Sequence, residues 1–143
     1  MPRSKIHYFS EDITFSLPSP SFVSEWIISV IHSENFKLKS LNIIFCSDQF
    51  LLDINKQFLK HDYYTDIITF DNSDLHLTIE GDLYISIHRV TENAIISSSI
   101  FIDELHRVMI HGVLHLIGYS DHYETAKLAM RLKEDSYLNL RKF

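Results

Sequence analysis

The 143-residue chain has one cysteine, Cys46, so no intrachain disulfide can form, which suits a reducing compartment. No stretch approaches the ~18 consecutive apolar residues that a membrane span needs, and the opening MPRSKIHYFSEDITF lacks the apolar core of a secretory signal. A soluble cytoplasmic protein with no membrane partner is expected. Positive charge is also short: 13 Lys and Arg stand against 19 Asp and Glu, a net charge of −6, which counts against affinity built on wrapping nucleic acid. Lys37, Lys39, Lys56 and Lys60 can still line a local basic groove, or stand as solvated surface. There is no internal repeat and no low-complexity segment. An apolar share of 45% is enough for a normal core, and the length suits one domain over residues 1–143.

The pattern alternates strands and helices. Ile6 to Phe9 and Ile13 to Leu17 read as short strands around the polar Ser10, Glu11, Asp12 turn, with Pro18 and Pro20 ending the second. A helix N-capped by Ser21 follows, with Phe22, Trp26, Ile27, Val30 and Ile31 as its apolar face, and Asn35 ends it. Leu41 to Cys46 is a strand, and Ser47 and Asp48 open a helix through Phe50, Leu51, Ile54 and Phe58 that exits at His61 to Tyr64. Asp66 to Phe70 and Leu75 to Ile79 read as strands, Gly81 punctuates, and Asp82 to Ile87 alternates as a buried strand. Helices are expected over Arg89 to Ser99, Phe101 to Ile117, and His122 to Leu140, the last with Leu128, Leu132 and Leu138 as its apolar line. Hairpins and crossovers both fit the short β spacing, and the expected class is α+β: a small mixed β-sheet packed on helices, with a late central helix carrying histidines.

The segment His111 to His122, HGVLHLIGYSDH, carries the chemistry. Positions four apart on a helix share one face, so His111 and His115 can hold one ion. Gly118 supplies a left-handed stop, and Ser120, Asp121 and His122 return at once with further candidate ligands. Two imidazoles plus one N or O ligand, with a fourth position open, is the arrangement of a catalytic zinc site, and a single cysteine cannot build a thiolate-rich structural one. The competing reading is a solvated or hydrogen-bonded histidine cluster. The zinc-peptidase pattern HExxH needs a glutamate beside the first histidine, but Gly112 stands there and supplies no proton acceptor.

The same residues resemble the YbeY family of metal-dependent endoribonucleases, whose hallmark is HGxLHLxGYDH. Three other stretches are similar to that family: Asn55 to Phe70 (NKQFLKHDYYTDIITF), Gly81 to Ser86 (GDLYIS) and Glu104 to Ile110 (ELHRVMI). The likeness covers roughly residues 40–140 with order and spacing kept. It departs in two places. Ser120 separates Tyr119 from the Asp-His pair, so the position of the family's third histidine falls on Asp121, with His122 one place later. Either can bind, and the family spacing favours Asp121; a carboxylate there makes the bound water less acidic than a third neutral imidazole would. The family's phosphate-contacting arginine falls on Leu59, with Lys60 and Lys56 beside it; a lysine serves phosphate as a point charge without a bidentate fork.

The resemblance implies a zinc-dependent, single-strand-specific endoribonuclease in small-subunit ribosomal RNA processing and ribosome quality control, with ribosomal RNA and the small ribosomal subunit as partners. His111, His115 and Asp121 (alternatively His122) would hold one Zn²⁺, Lys60 would meet phosphate, and Asp66 is a second candidate catalytic residue. Asp66, Asp82 and Thr65 also suit turn-fixing roles before strands. Glu104 reads as a helix charge, and His88 and His106 as hydrogen-bonding residues away from the ion. Attack by water and attack by the ribose 2′-OH both remain open. Two further classes are a zinc metallopeptidase-like hydrolase and a non-catalytic, metal-stabilised ribosome-assembly factor.

Overall fold

The computed structural model describes residues 5–143, so the first four residues of the N-terminal stretch lie outside it. The elements run β1 (Ile6–Ser10), α1 (Pro20–Ser33), β2 (Lys37–Cys46), α2 (Asp48–Leu59), β3 (Ile67–Asp71), β4 (Thr78–Ser86), α3 (Ile87–Ile96), α4 (Phe101–Ile117) and α5 (Glu124–Leu138). The four strands form one mixed sheet in the order β1-β2-β4-β3, with β1, β2 and β4 parallel and β3 antiparallel to β4. The expected α+β class holds.

Side-chain alternation divides the sheet. Leu41, Ile43 and Phe45 of β2 and Ile79, Leu83 and Ile85 of β4 join the main core with α1, α4 and part of α5. Cys46 and Ile68 face the other way, onto Leu51 of α2. Helix α4 lies deepest: Leu105, Val108, Met109, Ile110, Val113, Leu114 and Leu116 are all buried. At ~1.5–3 kcal/mol per buried large apolar side chain, these residues hold the histidine helix firmly in place.

Several expected elements move. Ile13 to Leu17 is not a strand; Phe15 instead packs edge-on between Phe45 and Phe101, at centroid distances of 4.9 and 6.1 Å. Its apolar residues plug the end of the core instead of pairing with a neighbour. Helix α1 begins at Pro20, whose fixed φ suits a first helical position, and its N-cap is Ser19 in a left-handed conformation with no capping side chain, so Ser21 is not the cap. Leu75 to Leu77 is a turn, and β4 runs unbroken from Thr78 to Ser86 through Gly81. Helix α3 starts two residues before Arg89, with buried Ser86 as its cap accepting from the Arg89 backbone N–H at 3.1 Å. In α5 the buried face is Met130, Glu134, Tyr137 and Leu138, whereas Leu128 and Leu132 are exposed. A glutamate therefore stands where a fourth apolar residue would be expected.

Candidate metal centre

Helix α4 presents His111 and His115 on one face, their rings perpendicular at 82° and their Nε2 atoms 3.0 Å apart. Gly112, between them in sequence, faces the sheet. A Cβ built there would lie 2.6 Å from Ile67 Cδ1 and 3.1 Å from both Leu83 methyls, so the position that bears the peptidase glutamate elsewhere is filled by packing. The helix ends at Gly118, whose φ of 121° is a conformation that L side chains rarely adopt. Its N–H bonds back to the carbonyls of Leu114 and His115, and the Tyr119 N–H also bonds to the Leu114 carbonyl.

The chain then returns Asp121 to the histidines. Asp121 Oδ2 lies 3.5 Å from His111 Nε2 and 3.5 Å from His115 Nε2. Together with the 3.0 Å histidine pair this makes a nearly equilateral triangle of donor atoms, one from each residue. Such a triangle has its centre about 1.9 Å from each corner. An ion that takes N and O ligands at ~2.0–2.1 Å could be reached by all three donors at once. The donor set thus fits a single small divalent cation. His122 is exposed and lies outside this cluster.

A second layer of groups holds the first histidine. Glu134 Oε2 lies 2.7 Å from His111 Nδ1, and with a carboxylate accepting at Nδ1 the Nε2 lone pair is left free to point into the triangle. Glu134 is only 4% exposed, and its other oxygen accepts from Arg107 Nη1 at 2.9 Å. Arg107 Nη2 reaches Asp135 at 2.6 Å, which completes the fork. Burial works against a charged His111, but the Glu134 hydrogen bond prevails and raises its pKa. His115 moves the other way, lowered by burial and then by the neighbouring His111. Neither Glu134 nor Arg107 stood out in the sequence. The available signal was the α5 helical period, which puts Glu134 on the same buried stripe as Met130, Tyr137 and Leu138.

The returning turn has its own anchor. Glu34, at the C-terminal end of α1, accepts from Tyr119 Oη at 2.6 Å, from Lys133 Nζ at 3.1 Å and from Tyr137 Oη. Burial acts to raise the Glu34 pKa, but these three donors outweigh it and hold the carboxyl below its ordinary range.

The triangle sits where two open cavities meet, and Asp66, His111 and Asp121 line both. One, of about 310 Å³, runs along α2 and β3 past Asn55, Leu59, His61, Tyr63 and Thr65. The other, of about 400 Å³, runs along α5 past Asn93, Glu104, Arg107, Lys127 and Arg131. Asp66 is therefore beside the donor triangle: burial raises its pKa, His111 opposes that, and its Oδ2 accepts from Asn93 Nδ2 at 3.3 Å. Lys60 is exposed in a left-handed conformation at the end of α2, between Leu59 and His61, and is not itself in the cavity lining. Asp82 faces away, accepting from Asn42 and Asn72 on the α2 side of the sheet. Glu104 lines the α5-side cavity, with its pKa raised by burial, so it is more than an exposed helix charge. His106 is buried beside Arg141, and His88 accepts from the Asp48 backbone N–H.

The family model described as Endoribonuclease YbeY matches residues 7–142. An endoribonuclease YbeY of Cytophaga hutchinsonii is 49% identical over 143 residues, covering 100% of both chains. That of Amoebophilus asiaticus is 49% identical over 138 residues, covering 96% of this chain and 94% of its own. Among solved structures, the solution structure of TM1509 from Thermotoga maritima superposes with a TM-score of 0.64 at 26% identity, over 94% of this chain and 87% of that one.

Proposed function

The chain belongs to the endoribonuclease YbeY family, and on that premise we propose that it is a zinc-dependent, single-strand-specific endoribonuclease acting in the cytoplasm on small-subunit ribosomal RNA, in its processing and in ribosome quality control. The observation that carries the reading is the triangle of His111, His115 and Asp121 donors, backed by the buried Glu134 and opening onto two cavities. In this reading His111 and His115 bind through Nε2 and Asp121 through Oδ2. A zinc ion held there supplies a Lewis acid for a phosphoryl oxygen and a water acidified towards neutral pH.

The remaining chemistry belongs to the chain itself. Glu134 fixes the His111 ring and tautomer, so the donor atom is in place before substrate arrives. Asp66, its carboxyl pKa raised by burial, stands beside the ligands as a group able to hold or pass a proton at the reacting phosphodiester. Single-strand preference follows from the α2-side cavity: the His61 and Tyr63 rings stack at 5.1 Å and 19°, and Tyr63 is 56% exposed. An unstacked base can lie on such a platform, whereas a base inside a duplex cannot. Buried Asn55 pins the loop by donating to the Tyr63 carbonyl at 2.9 Å. Lys60, at the rim between two lining residues, adds charge for the incoming strand.

Among the described residues no helix is long and apolar enough to cross a membrane. The peptidase alternative is disfavoured by Gly112, which leaves no room for a glutamate. Metal analysis paired with RNA cleavage tests the proposal. Wild type and His122→Ala are expected to hold one zinc ion and cut single-stranded RNA, leaving duplex RNA intact, while His115→Ala and Asp121→Ala lose both metal and cleavage. Stoichiometric metal in His115→Ala would overturn the site. Metal-replete wild type that cuts no RNA would favour the assembly-factor reading. The termini of the products separate attack by water from attack by the 2′-OH, since only the latter yields a cyclic phosphate.

A further inference from the structure

The two arms of the cleft differ in charge. Along α2 and β3 the lining residues include no lysine or arginine. Along α5 there are three: Arg107, Lys127 and Arg131. Arg107 is already committed, its fork taken by Glu134 and Asp135. Lys127 and Arg131 make no side-chain hydrogen bond and no ion pair among the described residues, and both are exposed. They are four residues apart on α5, and Glu134 follows three residues after Arg131, so all three lie on one stripe of the helix with neighbouring Cβ atoms about 6 Å apart. Because Glu134 grips His111, that stripe is held in a fixed rotation towards the metal ligands. Arg131 also lines an adjoining polar cavity of about 490 Å³, with Ser97, Ser99 and Asn139, so the arm continues outward past it.

We propose that Lys127 and Arg131 form the phosphate-binding track of the RNA strand, on the α5 side of the metal centre. This rests on the endoribonuclease reading. The arm is otherwise acidic, with Asp66, Glu104, Asp121 and Glu134 in its lining, and a polyanion entering it meets repulsion unless free cations offset it. The guanidinium of Arg131 grips one phosphate with its planar fork, and Lys127, one turn nearer the N-terminus of α5, meets a neighbouring phosphate as a point charge. The two residues bind and orient the strand and take no part in bond making. Their role therefore shows in affinity and KM more than in kcat.

Fluorescence anisotropy of a labelled single-stranded RNA oligonucleotide, over a series of salt concentrations, tests this on zinc-loaded full-length protein. For Lys127→Gln/Arg131→Gln, binding is expected to fall at least tenfold at low salt. The slope of log K against log salt should shrink by about 1.4, at ~0.7 for each phosphate no longer neutralised by the protein. Zinc content should be unchanged, and KM should rise while kcat stays within a few-fold. Lys37→Gln/Lys39→Gln, which removes the same charge from β2, is expected to change the slope by less than half as much. Equal affinity and slope in the α5 variant and wild type would overturn the assignment while leaving the endoribonuclease reading intact. An equal loss in both double variants would overturn it too, as a mere effect of net charge. Wild type that binds no RNA at all would overturn both readings together.

Discussion

Replacing Glu134 with glutamine probes the support of the metal centre while keeping its shape. The native carboxylate serves two donors at once, His111 Nδ1 at 2.7 Å and Arg107 Nη1 at 2.9 Å, and it is 4% exposed. A glutamine has one carbonyl oxygen, so one of the two donors faces an NH₂ group instead. Arg107 keeps Asp135 at 2.6 Å, which limits the loss below that of an orphaned buried charge. Removing one charge-assisted hydrogen bond and weakening another, at ~1.5–3 kcal/mol for bonds to charged groups, gives a loss of about 2–3 kcal/mol of stability in the metal-free protein. The loss also depends on pH. Glu134 holds the His111 pKa above its unfolded value against the pull of burial, so the stability this contact contributes is fully present below about pH 6.5 and is lost as pH rises through the raised folded pKa. Urea unfolding of chelator-treated Glu134→Gln is therefore expected to show a larger deficit at pH 6 than at pH 8.5. With metal, the freed His111 ring binds more weakly, by about 10–100-fold in competition with a chromophoric chelator. A variant within twofold of wild type in zinc affinity, and within about 0.5 kcal/mol in stability across this pH range, would refute the reasoning.

Three other outcomes follow from the packing. Burial first, and then the Arg141 guanidinium, pushes the His106 pKa down to about 4. A depressed histidine pKa means that stability is complete above about pH 6.5 and falls as pH drops towards 4, so wild type is expected to lose roughly 2–3 kcal/mol more than His106→Gln between pH 7.5 and 4.5 in urea titrations. Gly112→Glu, which restores the peptidase pattern in sequence, drives a side chain into Ile67 and Leu83; it is expected to cost at least ~1–3 kcal/mol in thermal or urea unfolding and to yield no peptide hydrolysis. Cys46 is fully buried and its thiol is pushed up to about 12, by burial and then by Asp12 and Asp48. It should therefore react with a thiol reagent at pH 8 only at the rate of global unfolding, as a stopped-time labelling series would show.

Much of this was legible in the sequence because it rests on local rules. The period of α4, the glycine stop and the i,i+4 histidines are all encoded within the span of one helix, and the structure places them as the spacing implies. Asp121 was legible only through the spacing of a resembled family, since nothing local separates it from His122; the structure brings Asp121, and not its neighbour, to the imidazoles. Glu134 was missed because its role depends on which stripe of α5 faces inward. The leucines at 128 and 132 suggested the wrong stripe, and the choice is made by tertiary contacts such as Trp26 Nε1 donating to the Tyr137 carbonyl at 2.8 Å. Ile13 to Leu17 has strand-like alternation but finds no neighbour to pair with. Periodicity reports which residues want burial, while pairing partners are settled by the rest of the chain.

The Glu34 anchor bears on the order in which the protein is completed. Two of the proposed ligands come from a single helix and can be in register as soon as α4 forms. The third rides on a turn that is tied, through Tyr119, to a carboxylate 85 residues earlier in the chain, and α5 is tied to the same carboxylate through Tyr137, 103 residues away. The cost of closing so long a loop is met only when α1 has docked. On the proposed ligand set, a chain lacking that docking would offer an ion two imidazoles and a loose carboxylate, which is expected to be a weaker chelate. If the proposed site holds an ion, firm retention would be a property of the finished molecule, and metal capture during refolding is expected to follow the docking of α1.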